Sequence, residues 1–160
     1  MFRLFKQYLA LGMVFCISLP TYAQKENSTM SLKALADSMK QSPKPMMILI
    51  STDWCKYCQL QKAQLLKSKV FVDAKNAVYY CEINAETKED ILFNGQVYKY
   101  SNSGSKRGIH ELVIALADRK EQITYPLWII LDQNYNILLR RNGLLEAYEI
   151  KEIVKVLSYN

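Results

Sequence analysis

Apolar positions along this chain follow three rhythms. Residues 46–50 and 127–131 are unbroken apolar runs of strand length, the pattern of strands covered on both faces. Helical spacing appears over residues 31–39, where Leu32, Leu35, Ala36 and Met39 share a face and Ser31 offers an N-cap. It returns over residues 145–157, with Ile150, Ile153, Val154 and Leu157 as the stripe. The β-rich run 77–83 predicts a second strand, parallel to the first across a helical crossover. That crossover is a helix from about Cys55 to Lys67, expected to turn Leu60, Ala63 and Leu66 inward and Gln59, Lys62 and Lys67 outward. Val70-Phe71-Val72 follow as a turn of helix or a loop packed on the core.

Residues 86–92 read as a short helix. The stretch 94–108 holds three glycines and reads as a loop with a short strand at 97–100. A strongly apolar helix is expected at 108–117. Residues 132–136 form a turn, and 137–141 a strand that becomes charged at its end, as edge strands do. The sum is a βαβ unit, a hairpin and a last helix: one α/β domain with a mixed sheet covered on both faces.

The N-terminal residues change the picture. Arg3 and Lys6 precede an apolar stretch of twelve residues, 8–19, which contains Cys16 and is ended by Pro20. Thr21-Tyr22-Ala23 then supply small residues where a signal peptidase reads. The stretch is short of the roughly 20 residues a spanning helix needs, so residues 1–23 are expected to be a cleaved signal peptide rather than a retained anchor. Residues 24–160 then form a single domain, and the formal charge falls from +6 to +4 as Arg3 and Lys6 leave. No basic run is interleaved with aromatics, so nucleic acid is not an expected partner. Export leads to a compartment where disulfides persist. Cys55, Cys58 and Cys81 remain, an odd number that suits one working pair and one extra thiol.

The chemistry concentrates in Trp54-Cys55-Lys56-Tyr57-Cys58, directly after the first strand. The first cysteine falls at a helix N-terminus, where unpaired N–H groups favour thiolate over thiol, and Lys56 adds a positive charge. The second lies three residues on, within reach of a disulfide. Taken alone, the pair admits a redox dithiol, a structural disulfide, or half of a zinc site completed by Cys81 and His110. The zinc reading lacks paired knuckle spacing. Haem attachment fails because Gln59 stands where the motif needs histidine. Cys81 reads as a small buried hydrophobe, His110 as a locally hydrogen-bonded helix residue and Trp128 as core. In the redox reading Cys55 is the nucleophile and Cys58 resolves the mixed disulfide.

These residues carry a family resemblance. The strand–Trp-Cys-x-x-Cys–helix segment at 46–66, Tyr125-Pro126 opening a later strand, and the closing run 127–157 with Gly143 resemble a thioredoxin-fold protein. The likeness spans roughly residues 30–158 and is narrowest to exported bacterial thioredoxin-like proteins with a helical insertion before the proline strand. It implies an α/β thioredoxin-like fold with a central mixed sheet of four to five strands flanked by helices. It implies a cis Pro126 beside the dithiol, with Tyr125 reading an extended substrate segment and Trp54 and Tyr57 forming an apolar docking surface. Lys56 and Asp53 would tune the thiols. No bound cofactor is implied. The partners are protein thiols and disulfides, with electrons exchanged with a membrane or periplasmic protein dithiol. Two departures stand out. Leu49 occupies the position, six residues before the first cysteine, where many thioredoxins hold a buried carboxylate. Lys56-Tyr57 replaces the Gly-Pro of cytosolic members. The rival reading is a binding or accessory module whose dithiol is structural or vestigial, recognising partners through the 94–108 loop and the Tyr57/Tyr125 surface.

Overall fold

The computed structural model describes residues 29–102, 108–118 and 123–158. The expected leader and the tip of the 94–108 loop lie outside them. Ser31 caps helix α1 (Leu32–Gln41), its hydroxyl accepting from the Ala34 N–H at 3.2 Å, and Leu35 and Met39 are buried beneath it. Strand β1 (Met46–Ser51) is buried at every residue. It earns no polar face because it lies between two neighbours and under helices on both sides.

The sheet has four strands in the order β2-β1-β7-β8, with β2 at Tyr79–Asn84, β7 at Leu127–Leu131 and β8 at Ile137–Asn142. β2 runs parallel to β1 and β7 runs antiparallel to it; β8 pairs antiparallel with β7. The sheet is therefore mixed, as expected. The crossover from β1 to β2 consists of α2 (Lys56–Lys67), α3 (Lys69–Asp73) and one 3-10 turn at Ala74–Asn76. Alternation along β1 divides the core in two. Met46, Ile48 and Ile50 pack with Leu35, Ile129, Leu112 and Leu116 on one face. Met47 and Leu49 pack with Leu65, Phe71, Trp128 and Val154 on the other. Helix α5 (Ala147–Ser158) closes that second face through Ile150, Val154 and Leu157, with Ile153 partly buried beside them.

Three expectations fail, each for a physical reason. Residues 86–92 are not helical. The chain turns after β2 and forms a hairpin of β3 (Ile91–Phe93) and β4 (Gln96–Tyr98). Its two-residue turn is Asn94-Gly95, both at positive φ (47° and 77°), the combination a tight hairpin turn requires. Residues 108–110 are likewise not the start of a helix. Ile109–His110 forms strand β6 against β5 (Tyr100–Ser101), and α4 begins only at Glu111–Ala117, with His110 as its N-cap. This helix stands where the resemblance put an insertion before the proline strand. Third, α2 is rotated from the expected phase. Leu60, Ala63 and Leu66 face solvent, while Cys58, Gln61 and Leu65 are buried and Lys62 is half-buried against Glu82 at 2.7 Å. The disulfide and the hydrogen bonds of Gln61 set that phase, and apolar spacing does not.

Candidate active site

The register brings three strand ends together. Ser51 of β1 lies beside Asn84 of β2, and Ile50 lies beside Leu127 of β7. The turn leaving β1, the residues following β2 and the proline preceding β7 therefore meet at one end of the sheet. In that turn the Cys55 N–H donates to the Thr52 carbonyl at 3.2 Å, and Cys55 takes the extended conformation of an N-cap. Its sulfur does the capping: Sγ accepts from the Cys58 N–H at 3.1 Å. Cys55 and Cys58 are joined as a disulfide, with Cα atoms 5.3 Å apart. When the bond opens, that amide and the positive end of α2 are already aimed at the Cys55 sulfur, which is what a thiolate requires.

The residues around the pair form a linked rim. Trp54 and Tyr57 are exposed. The Trp54 indole donates to Glu86 Oε1 at 3.0 Å, and its ring meets Tyr125 edge-on with centroids 6.2 Å apart. Tyr125 is half-buried and Pro126 buried, and the bond between them is cis. Burial, helped by the Glu86 charge, pushes the Tyr125 phenol up to about 12. Asp53 is exposed and engaged at two points: Oδ1 accepts from Asn84 Nδ2 at 3.0 Å, and its carbonyl accepts from Gln59 Nε2 at 3.1 Å. Asn84 Oδ1 in turn accepts from the Glu86 N–H at 3.0 Å. Lys56 is exposed at the first helical position.

Trp54, next to Cys55, thus meets Tyr125, which Pro126 follows, and Tyr57 lies on the exposed side of the first helical turn. Asp53 is spent on bracing the turn. Asn84 and Glu86 were missed, since residues 86–92 read as a helix. The available signal was topological: a strand parallel to β1 must end where β1 ends. Leu49 is buried among Leu65 and Trp128, so no carboxylate lies at that point of β1. Cys81 lies mid-strand opposite Ile48, fully buried, and burial, then the Glu82 charge, pushes its thiol up to about 12. His110 accepts from the Leu112 N–H through Nδ1 at 3.2 Å, and its Nε2 lies 3.0 Å from the Glu89 carbonyl, so the neutral ring carries its proton on Nε2. Among the described residues no three His, Cys, Asp or Glu side chains gather as a metal site.

Strand order, mixed pairing and a disulfide capping the helix after β1 define a class of fold: the chain has a thioredoxin-like fold. Residues 28–105 match a family model described as thioredoxin-like. Among solved structures, the chain is similar to chloroplastic thioredoxin z at 19% identity and a TM-score of 0.51, covering 82% of this chain and 94% of that one. It is similar to a thioredoxin-fold protein from Helicobacter pylori at 16% identity and 0.52, over 87% and 81%. It also resembles DsbH oxidoreductase at 18% identity and 0.51, over 80% and 84%. No curated protein matches it by sequence. Among the described residues no helix is long and apolar enough to cross a membrane.

Proposed function

We propose that this protein is an exported thiol–disulfide oxidoreductase acting on protein substrates. The observation that carries the reading is the Cys55 sulfur at the head of α2, accepting the Cys58 N–H beside the Tyr125–Pro126 turn. In the reducing direction the Cys55 thiolate attacks one sulfur of a substrate disulfide. A Cys55–substrate disulfide forms, the substrate S–S bond breaks, and the departing sulfur takes a proton from water. Cys58 then loses its proton and attacks the Cys55 sulfur. The Cys55–Cys58 bond forms and the second substrate thiol leaves. The substrate gains two electrons and two protons, and the protein is left in the oxidised form seen here. Run backwards, the same steps oxidise a substrate dithiol. A second protein dithiol or disulfide, on a membrane or periplasmic electron carrier, resets the pair.

The remaining roles follow from position. Trp54, Tyr57 and Tyr125 present apolar surface on which an extended segment can dock, and the backbone at Tyr125–Pro126 offers polar groups for it to pair with. Lys56 sits one residue from the nucleophile and favours its anion. Asp53 acts on the thiols through the turn it braces. The signal peptide at 1–23 delivers residues 24–160 to the oxidising compartment. The test is insulin reduction by wild type and by Cys55→Ser. Wild type turns over, and the variant falls to the uncatalysed background. Equal slow rates for both proteins reject the enzyme and leave a binding module.

A further inference from the structure

Burial usually selects apolar side chains, and position 61 is an exception. Gln61 is fully buried on α2, one helical turn beyond Cys58. Its amide is matched on both sides by the backbone carbonyl and N–H of Leu145. Nε2 donates to the Leu145 carbonyl at 3.2 Å, and Oε1 accepts from the Leu145 N–H at 2.6 Å. This is the exchange two paired strands make, carried out by a side chain. Leu145 belongs to the connection between β8 and α5. Two residues earlier in that connection, Gly143 takes a φ of 88° and its N–H donates to the Pro126 carbonyl at 2.8 Å. The connection is therefore fastened to the dithiol helix through Leu145 and to the proline opening β7 through Gly143.

We infer that Gln61 is a positioning residue that fixes the spacing between the dithiol at the head of α2 and the Tyr125–Pro126 turn, and so governs how well a protein disulfide is held. The inference rests on the oxidoreductase reading. A segment docking across the site touches Trp54 and Tyr57 on the helix side and Tyr125 on the β7 side, two walls carried by different elements. A docked segment binds well only if those walls keep their separation before it arrives. Gln61 touches neither sulfur. The amide that caps Cys55 belongs to Cys58 and does not depend on the clamp. Loss of the clamp thus weakens docking and leaves thiol reactivity alone.

The test compares Gln61→Leu, Gln61→Glu and Leu157→Ala with wild type in insulin reduction, with iodoacetamide trapping of Cys55 in the reduced proteins. Gln61→Leu raises KM by at least about fivefold, with kcat and the trapping rate within about twofold of wild type. Gln61→Glu is the conservative rescue. A protonated carboxyl offers the same donor and acceptor as the amide, whereas the anion has no donor for the Leu145 carbonyl. Its KM, relative to wild type at each pH, is near one at about pH 5 and climbs toward pH 8 as the carboxyl ionises. Leu157→Ala loosens α5 elsewhere and leaves KM unchanged. The inference is overturned by an unchanged KM in Gln61→Leu, by an equal rise in Leu157→Ala, by slowed trapping, or by a flat pH ratio in Gln61→Glu. Should Gln61→Leu fail to fold, the pH ratio decides alone. A wild type inert toward insulin removes the oxidoreductase reading and this inference together. A working wild type with a KM-neutral Gln61→Leu removes only this inference.

Discussion

The end of the sheet and the middle of β2 each hold cysteine, and they treat it in opposite ways. Cys55 and Cys58 are 6% and 1% exposed, and Cys81 is 0% exposed, so burial barely separates them. Their polar surroundings separate them well. The Cys55 sulfur receives an amide N–H at the positive end of a helix. Cys81 lies among Ile48, Ile83 and Met46, with the Glu82 carboxylate as neighbour, and its thiol is held up near 12. A desolvated sulfur ionises only where donors replace the lost water. In this fold those donors occur where a strand gives way to a helix and do not occur inside a strand.

The contrast is broken most directly by alkylation. In the reduced protein at pH 7, Cys55 is labelled rapidly by iodoacetamide. Cys81, with a thiolate fraction on the order of 10⁻⁵ for a pKa near 12, is labelled only after denaturant is added. Mass spectrometry of the digested protein reads the difference, and labelling of native Cys81 at a similar rate would undo it. A smaller effect concerns alkaline stability. The Cys81 pKa is raised from 9.0 to about 12, so the folded chain keeps a proton that the unfolded chain releases. Its contribution is complete below about pH 9 and is lost as pH rises toward about 12. Urea midpoints therefore fall through that window, and Cys81→Ala flattens the fall. Tyr80 and Tyr125, both raised chiefly by burial, keep a residual slope of the same sign. The smallest effect is at the rim. Glu86→Gln lowers the titration of the Tyr125 phenol, yet leaves it above 10, because burial contributes more than the Glu86 charge. Ring-labelled tyrosine followed by nuclear magnetic resonance measures this.

The sequence made the sheet legible and the helix phase obscure. β1, β7 and the Ser31 cap were readable because each uses one strong local signal: an unbroken apolar run or a hydroxyl before a periodic stretch. The dithiol and Tyr125-Pro126 were readable as motifs. The buried face of α2 was not, since a glutamine satisfied by a backbone peptide 84 residues away looks polar in any periodicity count. The hairpin at 91–98 was masked by the charged run Glu86–Asp90, although Asn94-Gly95 carried the signal for it. Glu86 was lost with that misreading. Its contact with Trp54 spans 32 positions and depends on β2 stopping level with β1.

Because β7 runs against β1, the chain leaves the sheet beyond Asn84 and comes back to it at Pro126, both at the end of the sheet where β1 gives way to the disulfide turn. The excursion between them therefore starts and finishes at the end of the sheet from which the disulfide turn leaves, while its hairpin and α4 are built outside the four-stranded sheet. Its exposed positions, such as Leu92 and Val97 on the hairpin, can change without touching that disulfide, whereas Leu112 and Leu116 are tied to the core face of β1 and Glu86 to Trp54.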